Sequence, residues 1–251
     1  MAKQEGIIQL KGTIGNITFA KTNGGYVAKR KTTLDGSRIA TDPVFVRTRE
    51  NNTEFGRAGK AGKILRTALR NLLQNSRDGQ LASRLTKEMM KVLKADATST
   101  RGMRNVIDGE AELLEGFDFN SNASLGNTLF APYTATINRV TGVLSIALDA
   151  FVGNRDIEAP EGTTHFKLVS AGAEIDFENE TFNTDTNASA VLPLNDATVA
   201  AATLTHNVTA NSTHPLFLVL GIQFFQQVNG VDYPLKNGAF NALKMVKVAG
   251  V

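Results

Sequence analysis

The sequence contains no cysteine and no tryptophan, and only three of its 251 residues are histidines. The absence of cysteine excludes a disulfide-stapled scaffold, a thiolate metal site and a cysteine nucleophile. Long apolar runs are also missing, since the clearest one, residues 216–222, is far too short to span a bilayer. The opening MAKQEGIIQLKG lacks the apolar stretch of a Sec signal. We therefore expect a protein that is cytoplasmic or leaves the cell by a route other than Sec.

The net charge of +3 conceals an uneven distribution along the chain. Residues 1–110 contain 21 lysines and arginines against 10 acidic residues, whereas residues 111–251 contain 6 against 14. Eleven of the 14 phenylalanines also lie in the second part. A basic half is therefore joined to an acidic, phenylalanine-rich half, and such asymmetry indicates a charged partner. That partner is either nucleic acid or the acidic half of another copy of the chain.

Residues 7–31 have the pattern of a small β-meander. Short strand-like runs cover residues 7–11, 14–20 and 26–31, and Asn23-Gly24 suits a type I′ hairpin turn. Such a meander is marginal alone and must pack on another surface. We expect its apolar and aromatic residues to form an assembly interface: Ile7, Ile8, Leu10, Ile14, Ile17, Phe19 and Tyr26.

Asp42 and Pro43 mark the start of a helix that continues to about residue 75, with Asp42 as N-cap and Pro43 at the first helical position. Spacings of three and four residues place an inward apolar stripe on this helix, made of Phe55, Ala58, Ala61, Leu65, Ala68, Leu69 and Leu72. A second, basic stripe belongs to the expected interface and comprises Lys60, Lys63, Arg66 (or Thr67) and Arg70.

Three glycines recur every third residue in this helix, at Gly56, Gly59 and Gly62. They indicate either a break or the close approach of another backbone, and we favour close packing. A second helix is predicted at about residues 80–94, with Leu81, Leu85 and Met89 inward, and a third at about residues 100–114.

After Gly116 the periodicity changes from helices to strands. Strands are predicted at residues 133–138, 142–148, 165–171, 173–177, 189–194, 202–208, 215–228 and 242–248, with a hairpin turn at Asn229-Gly230. Helices followed by strands imply an α+β protein with a C-terminal immunoglobulin-like antiparallel β-sandwich. We divide the chain into a β-meander arm (1–34), a basic helical region (35–116) and an acidic sandwich (117–251).

Residue types that carry catalysis form no recognisable constellation in this sequence. His165, His206 and His214 lack the further ligands of a zinc site, and no HExxH or GxSxG pattern occurs. The glycines between residues 12 and 15 do not have phosphate-loop spacing. We expect no catalytic, cofactor-binding or metal site, and a protein that is not an enzyme.

Four carboxylates alternate with other residues at Glu174, Asp176, Glu178 and Glu180, and an extended strand would place all four on one face. Three interpretations stay open. The face is solvated, or it docks on a basic surface, or it contributes to a Ca²⁺ site completed by ligands from other loops. For the expected assembly interface we place these four carboxylates on one side, and residues 7–31 with the basic stripe on the other.

The segments KGTIGNITFAKTNGGYVAKRK and TRENNTEFGRAGKAGKILR resemble a group of uncharacterised proteins from Bacteroidota, in which a Gly-rich hairpin precedes a helical segment and a β-sandwich. The layout covers the whole chain, while the specific motif is confined to about residues 10–70. The resemblance implies a bacterial or phage source and a non-enzymatic role, and it carries no functional residues with it.

These observations favour a structural protein that assembles with itself into a filament, tube or lattice. Contacts between the unlike halves of neighbouring copies are head-to-tail and build open assemblies. The alternatives are a nucleic-acid-associated protein that uses the basic helices and a phage virion component.

Overall fold

The computed structural model describes residues 1–22, 24–31 and 35–251 of the chain. The chain forms two compact units, Met1–Arg49 and Glu50–Val251. Helices occur beside sheets whose described strand pairs are all antiparallel, so the α+β class is confirmed. The two units do not coincide with the arm, helical region and sandwich expected at residues 1–34, 35–116 and 117–251.

The N-terminal unit contains a four-stranded sheet in the order β1-β4-β3-β2. Its strands are β1 (Ala2–Lys3), β2 (Gly12–Ile14), β3 (Ile17–Thr22) and β4 (Gly25–Arg30). β2 and β3 form a hairpin around Gly15, whose φ of 56° suits glycine. The turn predicted at Asn23-Gly24 includes Asn23, which lies outside the described residues.

A loop occupies residues 7–11, so the strand predicted there is wrong. The side chain of Gln4 holds this loop against β4. Its Oε1 accepts a hydrogen bond from the Leu10 N–H at 2.9 Å, and its Nε2 donates to the Val27 carbonyl at 3.1 Å. These side-chain bonds take the place of a strand ladder.

Two aspartates begin short helical segments after the sheet. Asp35 caps α1 (Gly36–Thr41), and Asp42 accepts the Val44 N–H at 3.0 Å to begin a 3-10 helix, Pro43–Phe45. The prediction of Asp42 as N-cap with Pro43 next to it is therefore confirmed. α2 (Val46–Ala68) follows directly.

Helices cover one face of the six-stranded sheet of the second unit, which we call the main sheet. After α2 come α3 (Arg70–Leu73), α4 (Leu81–Ala95) and a 3-10 helix, Ala111–Leu114. α2 runs unbroken through its three glycines, and Gly62 lies against α4, where an added Cβ would be 3.5 Å from Cγ of Leu85. The neighbours of Gly62 are side chains at ordinary contact distance, so the close approach of another backbone predicted for these glycines is not found there. A Cβ at Gly56 or Gly59 would meet no atom of the other described residues within 4 Å.

The apolar stripes of α2 and α4 are buried, with one exception. Leu81, Leu85 and Met89 of α4 lie in the core as predicted. Phe55, predicted to point inward, is 61% exposed. The buried row of α2 instead begins at Glu54, whose carboxylate accepts the Gly102 N–H at 2.7 Å.

The helix predicted at residues 100–114 is wrong except for its last turn. Asp96 and Asn105 accept hydrogen bonds from nearby backbone N–H groups, and Gly102 has a φ of 85°. Such local side-chain bonds compete with helix formation.

The main sheet has six strands arranged around two long central ones. In chain order the strands of the second unit are β5 (Tyr133–Asn138), β6 (Val143–Leu148), β7 (Phe151–Val152), β8 (His165–Asp176), β9 (Thr181–Ala188), β10 (Leu192–Pro193), β11 (Thr198–Val199), β12 (Ala202–Asn207), β13 (Leu216–Val228), β14 (Val231–Pro234) and β15 (Ala242–Ala249). β8 and β13 pair with each other, β9 and β10 flank β8, and β14 and β15 flank β13. A smaller sheet has the order β12-β6-β5, β7 pairs with β11, and α5 (Gly153–Asp156) is a single turn.

Both faces of the main sheet are covered, which gives the second unit three layers. Alternate residues of β8, Val169 to Ile175, join the core with α2 and α4. Phe166 and Leu168 join a second core with β6 and β12. The sequence predicted two strands in residues 165–177, separated at Gly172. The structure has one continuous strand, β8, which ends at Asp176.

Candidate interaction surfaces

The N-terminal sheet presents an apolar face built from residues of the predicted interface. Phe19 pairs with Ala28, and Ile17 pairs with Ile14. Residues directly opposite each other, and residues two apart on one strand, share a face. Ile14, Ile17, Phe19 and Tyr26 therefore lie on the same face of the sheet, which we call the apolar face. It also carries two cations at the margins of the register, Arg30 opposite Ile17 and Lys21 opposite Tyr26.

No described residue of Met1–Arg49 is buried. Ile14 is 66% exposed and Ile17 47%. In the 7–11 loop, Ile7 and Ile8 are almost wholly exposed and Leu10 is 42% exposed. The unit carries nine lysines and arginines against three acidic residues. It therefore combines an uncovered apolar face with a strong positive charge.

The basic stripe of the predicted interface divides into two parts. Lys63, Arg66 and Arg70 line a cleft of about 810 Å³ together with Arg77, between the end of α2, α3 and the start of α4. Lys60 lies outside this basic cleft and forms an ion pair with Glu180. The sequence pattern therefore located three cations of the basic cleft, while Arg77 was not singled out as a site residue.

The cations of the basic cleft have no acidic partners. Arg66 donates from Nε to the Gly62 carbonyl of its own helix at 3.1 Å. Within the described part of the chain, no carboxylate lies within 4.0 Å of the four side chains that line it: Lys63, Arg66, Arg70 and Arg77.

Asp78 also lines this cleft, but its charge is already compensated. It pairs with Arg84 and accepts the Ser121 N–H at 2.9 Å. Burial opposes ionisation of Asp78, but the bonds from Ser121 and Arg84 outweigh it and keep its pKa below the ordinary value. The basic cleft thus retains a net positive charge.

An apolar cleft of about 700 Å³ adjoins the basic cleft at Ala82, which lines both. Its lining combines Phe55 and Met90 with three lysines, Lys87, Lys91 and Lys94. Sequence reasoning missed the apolar cleft because it placed Phe55 in the core.

The acidic run does not form one strand face, so that expectation is wrong. β8 ends at Asp176, and Glu178 and Glu180 lie in the turn before β9, where Glu180 has a φ of 58°. Asp176 shapes this turn by accepting the N–H groups of Glu178 and Asn179 at 2.9 and 3.0 Å.

Glu174 is buried between secondary elements, unlike the other three. Its carboxylate accepts the Ser212 hydroxyl at 2.5 Å and the Thr209 N–H at 3.2 Å. Burial raises its pKa, but these bonds outweigh burial and the net shift is downward. Glu174 is therefore an internal anchor and not an exposed docking residue.

Lys60 and Glu180, assigned from the sequence to opposite sides of an interface, meet within the second unit. Their side chains are 56% and 48% exposed. Exposed pairs of this type contribute about 0–1 kcal/mol to stability. Among the carboxylates of the acidic run, only Glu178 and Glu180 face the solvent.

A serine and a histidine meet inside the second unit, but the pair is closed to solvent. Nε2 of His206 lies 2.8 Å from Oγ of Ser170, both residues are 0% exposed, and Nδ1 of His206 has no hydrogen-bond partner among the residues that the structure describes. This geometry lacks both access and the third group that orients a catalytic histidine.

The described residues contain no group of three or more histidine, aspartate or glutamate side chains that could hold a metal ion. The calcium interpretation of the acidic run therefore finds no set of ligands among them. None of the helices in the described ranges is both long and apolar enough to cross a membrane. The chain matches no protein-family model, and a search of curated proteins finds no significant match.

Proposed function

We propose that this chain is a structural protein that assembles with copies of itself through its N-terminal unit. The observation that carries the proposal is the uncovered apolar face of the four-stranded sheet, in a unit without a buried residue in its described part. Exposed apolar patches of this kind mark interaction sites. The role is non-enzymatic, and the products are filaments, tubes or lattices.

Covering exposed apolar side chains supplies the driving force. Full burial of one isoleucine or phenylalanine side chain contributes about 1.5–3 kcal/mol. Ile14 and Ile17 of the apolar face, and Ile7 and Ile8 of the 7–11 loop, all retain large exposed fractions. Their joint burial offsets part of the entropic cost of association.

Charge favours a second copy of this chain as the partner. Residues 1–49 carry nine cationic against three acidic residues, and residues 50–251 carry 18 against 21. Two N-terminal units repel each other, whereas an N-terminal unit and the second unit of another copy attract. Contacts between unlike surfaces form a ring if the rotation between copies closes, and an open, extended assembly if it does not. Of the acidic run, Glu178 is exposed and has no ion pair among the described residues, whereas Glu180 already pairs with Lys60.

The test compares two faces of the same hairpin. The variant Ile14→Gln with Ile17→Gln alters the apolar face, and the control Thr13→Gln with Thr18→Gln alters the opposite face at the neighbouring register position. We expect large species of the unaltered protein by light scattering and negative-stain microscopy, persistence in the control, and monomers in the apolar-face variant. A monomeric unaltered protein, or equal loss in both variants, contradicts the proposal.

We also propose that the three-stranded sheet and the main sheet together have immunoglobulin-like topology. Strand pairing supports this: β5-β6-β12 on one side and β9-β8-β13-β15 on the other correspond to the ABE and C′CFG orders of such domains. An experimental structure in which β6 pairs with a strand other than β5 and β12 would contradict it. This topology by itself specifies no activity.

A further inference from the structure

We propose that the surface between α2 and α4 binds single-stranded nucleic acid, with phosphates on the cations of the basic cleft and a base stacked on Phe55. The proposal is independent of self-assembly, because every residue it uses belongs to the second unit and none lies on the N-terminal sheet.

The two clefts are adjacent, and we call them together the groove. Both are lined by Ala82 near the start of α4, the apolar cleft extending toward Lys94 and the basic cleft toward Arg77. At 3.6 residues per turn, Phe55, Lys63 and Arg66 lie within an arc of about 80° on α2. Phe55 and Arg66 are about 16 Å apart along the helix axis. That length matches about five stacked nucleotides of one strand.

The groove carries positive charge that the chain does not neutralise. In addition to the four cations of the basic cleft, Lys87 and Lys94 have no carboxylate within 4.0 Å among the described residues. The nearby acids are engaged, Asp78 with Arg84 and Glu88 with Lys91. A concave surface with unpaired charge of one sign concentrates ligands of the opposite sign.

Phe55 favours nucleic acid over an acidic polypeptide. The guanidinium groups of Arg66, Arg70 and Arg77 match phosphate and carboxylate oxygens alike, so they do not discriminate between the two ligands. Phe55 is 61% exposed beside Met90 and offers a flat apolar platform. Bases stack on such aromatic side chains without sequence preference, whereas an acidic polypeptide has no need of one.

The first experiment measures binding of a labelled oligothymidylate of about 20 nucleotides by fluorescence anisotropy between about 50 and 200 mM salt. The variant Lys63→Gln with Arg70→Gln removes two charges from the groove. The control Lys60→Gln with Arg155→Gln removes two exposed charges elsewhere on the second unit. We expect about tenfold weaker binding in the groove variant, with a salt slope reduced by about 1.4, and near-native binding in the control.

The second experiment separates stacking from charge. Phe55→Ala is expected to weaken binding about tenfold without changing the salt slope. Failure of the unaltered protein to bind at about 50 mM salt overturns the proposal. Equal losses in the groove and control variants also overturn it. Equally tight binding of a polyglutamate peptide, together with no effect of Phe55→Ala, assigns the groove to an acidic protein instead. Circular dichroism confirms that each variant is folded.

Discussion

His206 on β12 and Ser170 on β8 meet across the two sheets of the second unit, with Nε2 of the histidine 2.8 Å from the serine Oγ. Gly172 lies two residues after Ser170 and therefore on the same face of β8. It leaves room for the His206 side chain, because a Cβ at Gly172 would lie 2.8 Å from the His206 Cβ. A polar contact thus joins two otherwise apolar surfaces at one enclosed position.

Because the imidazole of His206 is buried, we expect the protein to lose stability below about pH 6.5. Burial lowers the pKa of His206 below its ordinary value of 6.5, and the nearby Asp185 carboxylate opposes this only in part. The unfolded chain binds the proton more readily, so the stabilising contribution is present above pH 6.5 and is lost as the pH falls through the folded pKa. We expect the free energy of unfolding in urea to decrease over this range. His206→Gln, which does not titrate, is expected to flatten the decrease, and an unchanged pH profile in this variant contradicts the assignment.

Alanine substitutions at two glycines are expected to have opposite effects. At Gly172 the new Cβ meets His206 and also lies 3.2 Å from Leu144, which costs about 1–3 kcal/mol by overpacking. At Gly59 nothing lies within 4 Å, and alanine stabilises the interior of α2 by about 0.5–1 kcal/mol. Thermal unfolding of the two variants checks the signs, and a destabilised Gly59→Ala would show that α2 is not helical there.

Strands were predicted closely where polar and apolar residues alternate beside a clear turn. β5 was predicted at residues 133–138 and spans Tyr133–Asn138. Asn229 and Gly230 have φ values of 52° and 78°, which confirms their hairpin turn. β9 was missed because its sequence, TFNTDTNA, is mostly polar and lies exposed against β8. Its pairing depends on a neighbouring strand and not on its own pattern.

The surfaces were harder to predict because they depend on which helical row turns inward. Lys63, Arg66 and Arg70 recur at local helical spacing, so their shared face was predictable, whereas Arg77 follows α3 and has no such spacing. Glu54, and not Phe55, lies in the buried row of α2, because the Glu54 carboxylate accepts a hydrogen bond from the Gly102 N–H in a loop far away in sequence. Glu174 was predicted exposed for a similar reason: its partners, Ser212 and Thr209, follow it by more than thirty residues.

Asp96 organises the loop that replaces the third predicted helix, so its removal is expected to destabilise the protein. It is 2% exposed, and its carboxylate accepts the N–H groups of Thr98, Ser99 and Asn105 at 2.9, 2.9 and 3.1 Å. Asp96→Ala leaves these donors unpaired and is expected to cost about 1–3 kcal/mol in chemical unfolding. The control Asp149→Ala alters an exposed aspartate and is expected to change stability by at most about 0.5 kcal/mol.

The same aspartate predicts a loss of stability in acid. Burial opposes ionisation of Asp96, but hydrogen bonds from Ser99, Asn105 and Thr98 outweigh it and place its pKa well below the ordinary 3.8. Its contribution is therefore present above about pH 3.8 and disappears as the pH falls through the folded pKa. The stability difference between the unaltered protein and Asp96→Ala is expected to shrink on acidification, and a constant difference down to pH 2 contradicts this expectation.

Arg139 lies in the turn between β5 and β6 and donates hydrogen bonds to carbonyls in the loop before β13 and at the end of β15. Its loss is therefore expected to loosen the end of β15. One guanidinium nitrogen donates to Ser212 and His214 at 2.6 and 2.8 Å, and the other to Ala249 at 3.0 Å and to Gly250. A lysine has no planar fork with which to reach four acceptors, so Arg139→Lys is expected to cost about 2 kcal/mol.

Hydrogen exchange distinguishes this local effect from general destabilisation. In Arg139→Lys we expect the amides at the end of β15 to gain more in exchange rate than the amides of its central residues, because the carbonyls that Arg139 binds lie at that end. Arg155→Ala is the matched control, since Arg155 is 71% exposed and, in the described part of the chain, pairs only with the adjacent Asp156. Uniformly faster exchange along β15 in Arg139→Lys would show that Arg139 supports the whole core and not the strand end.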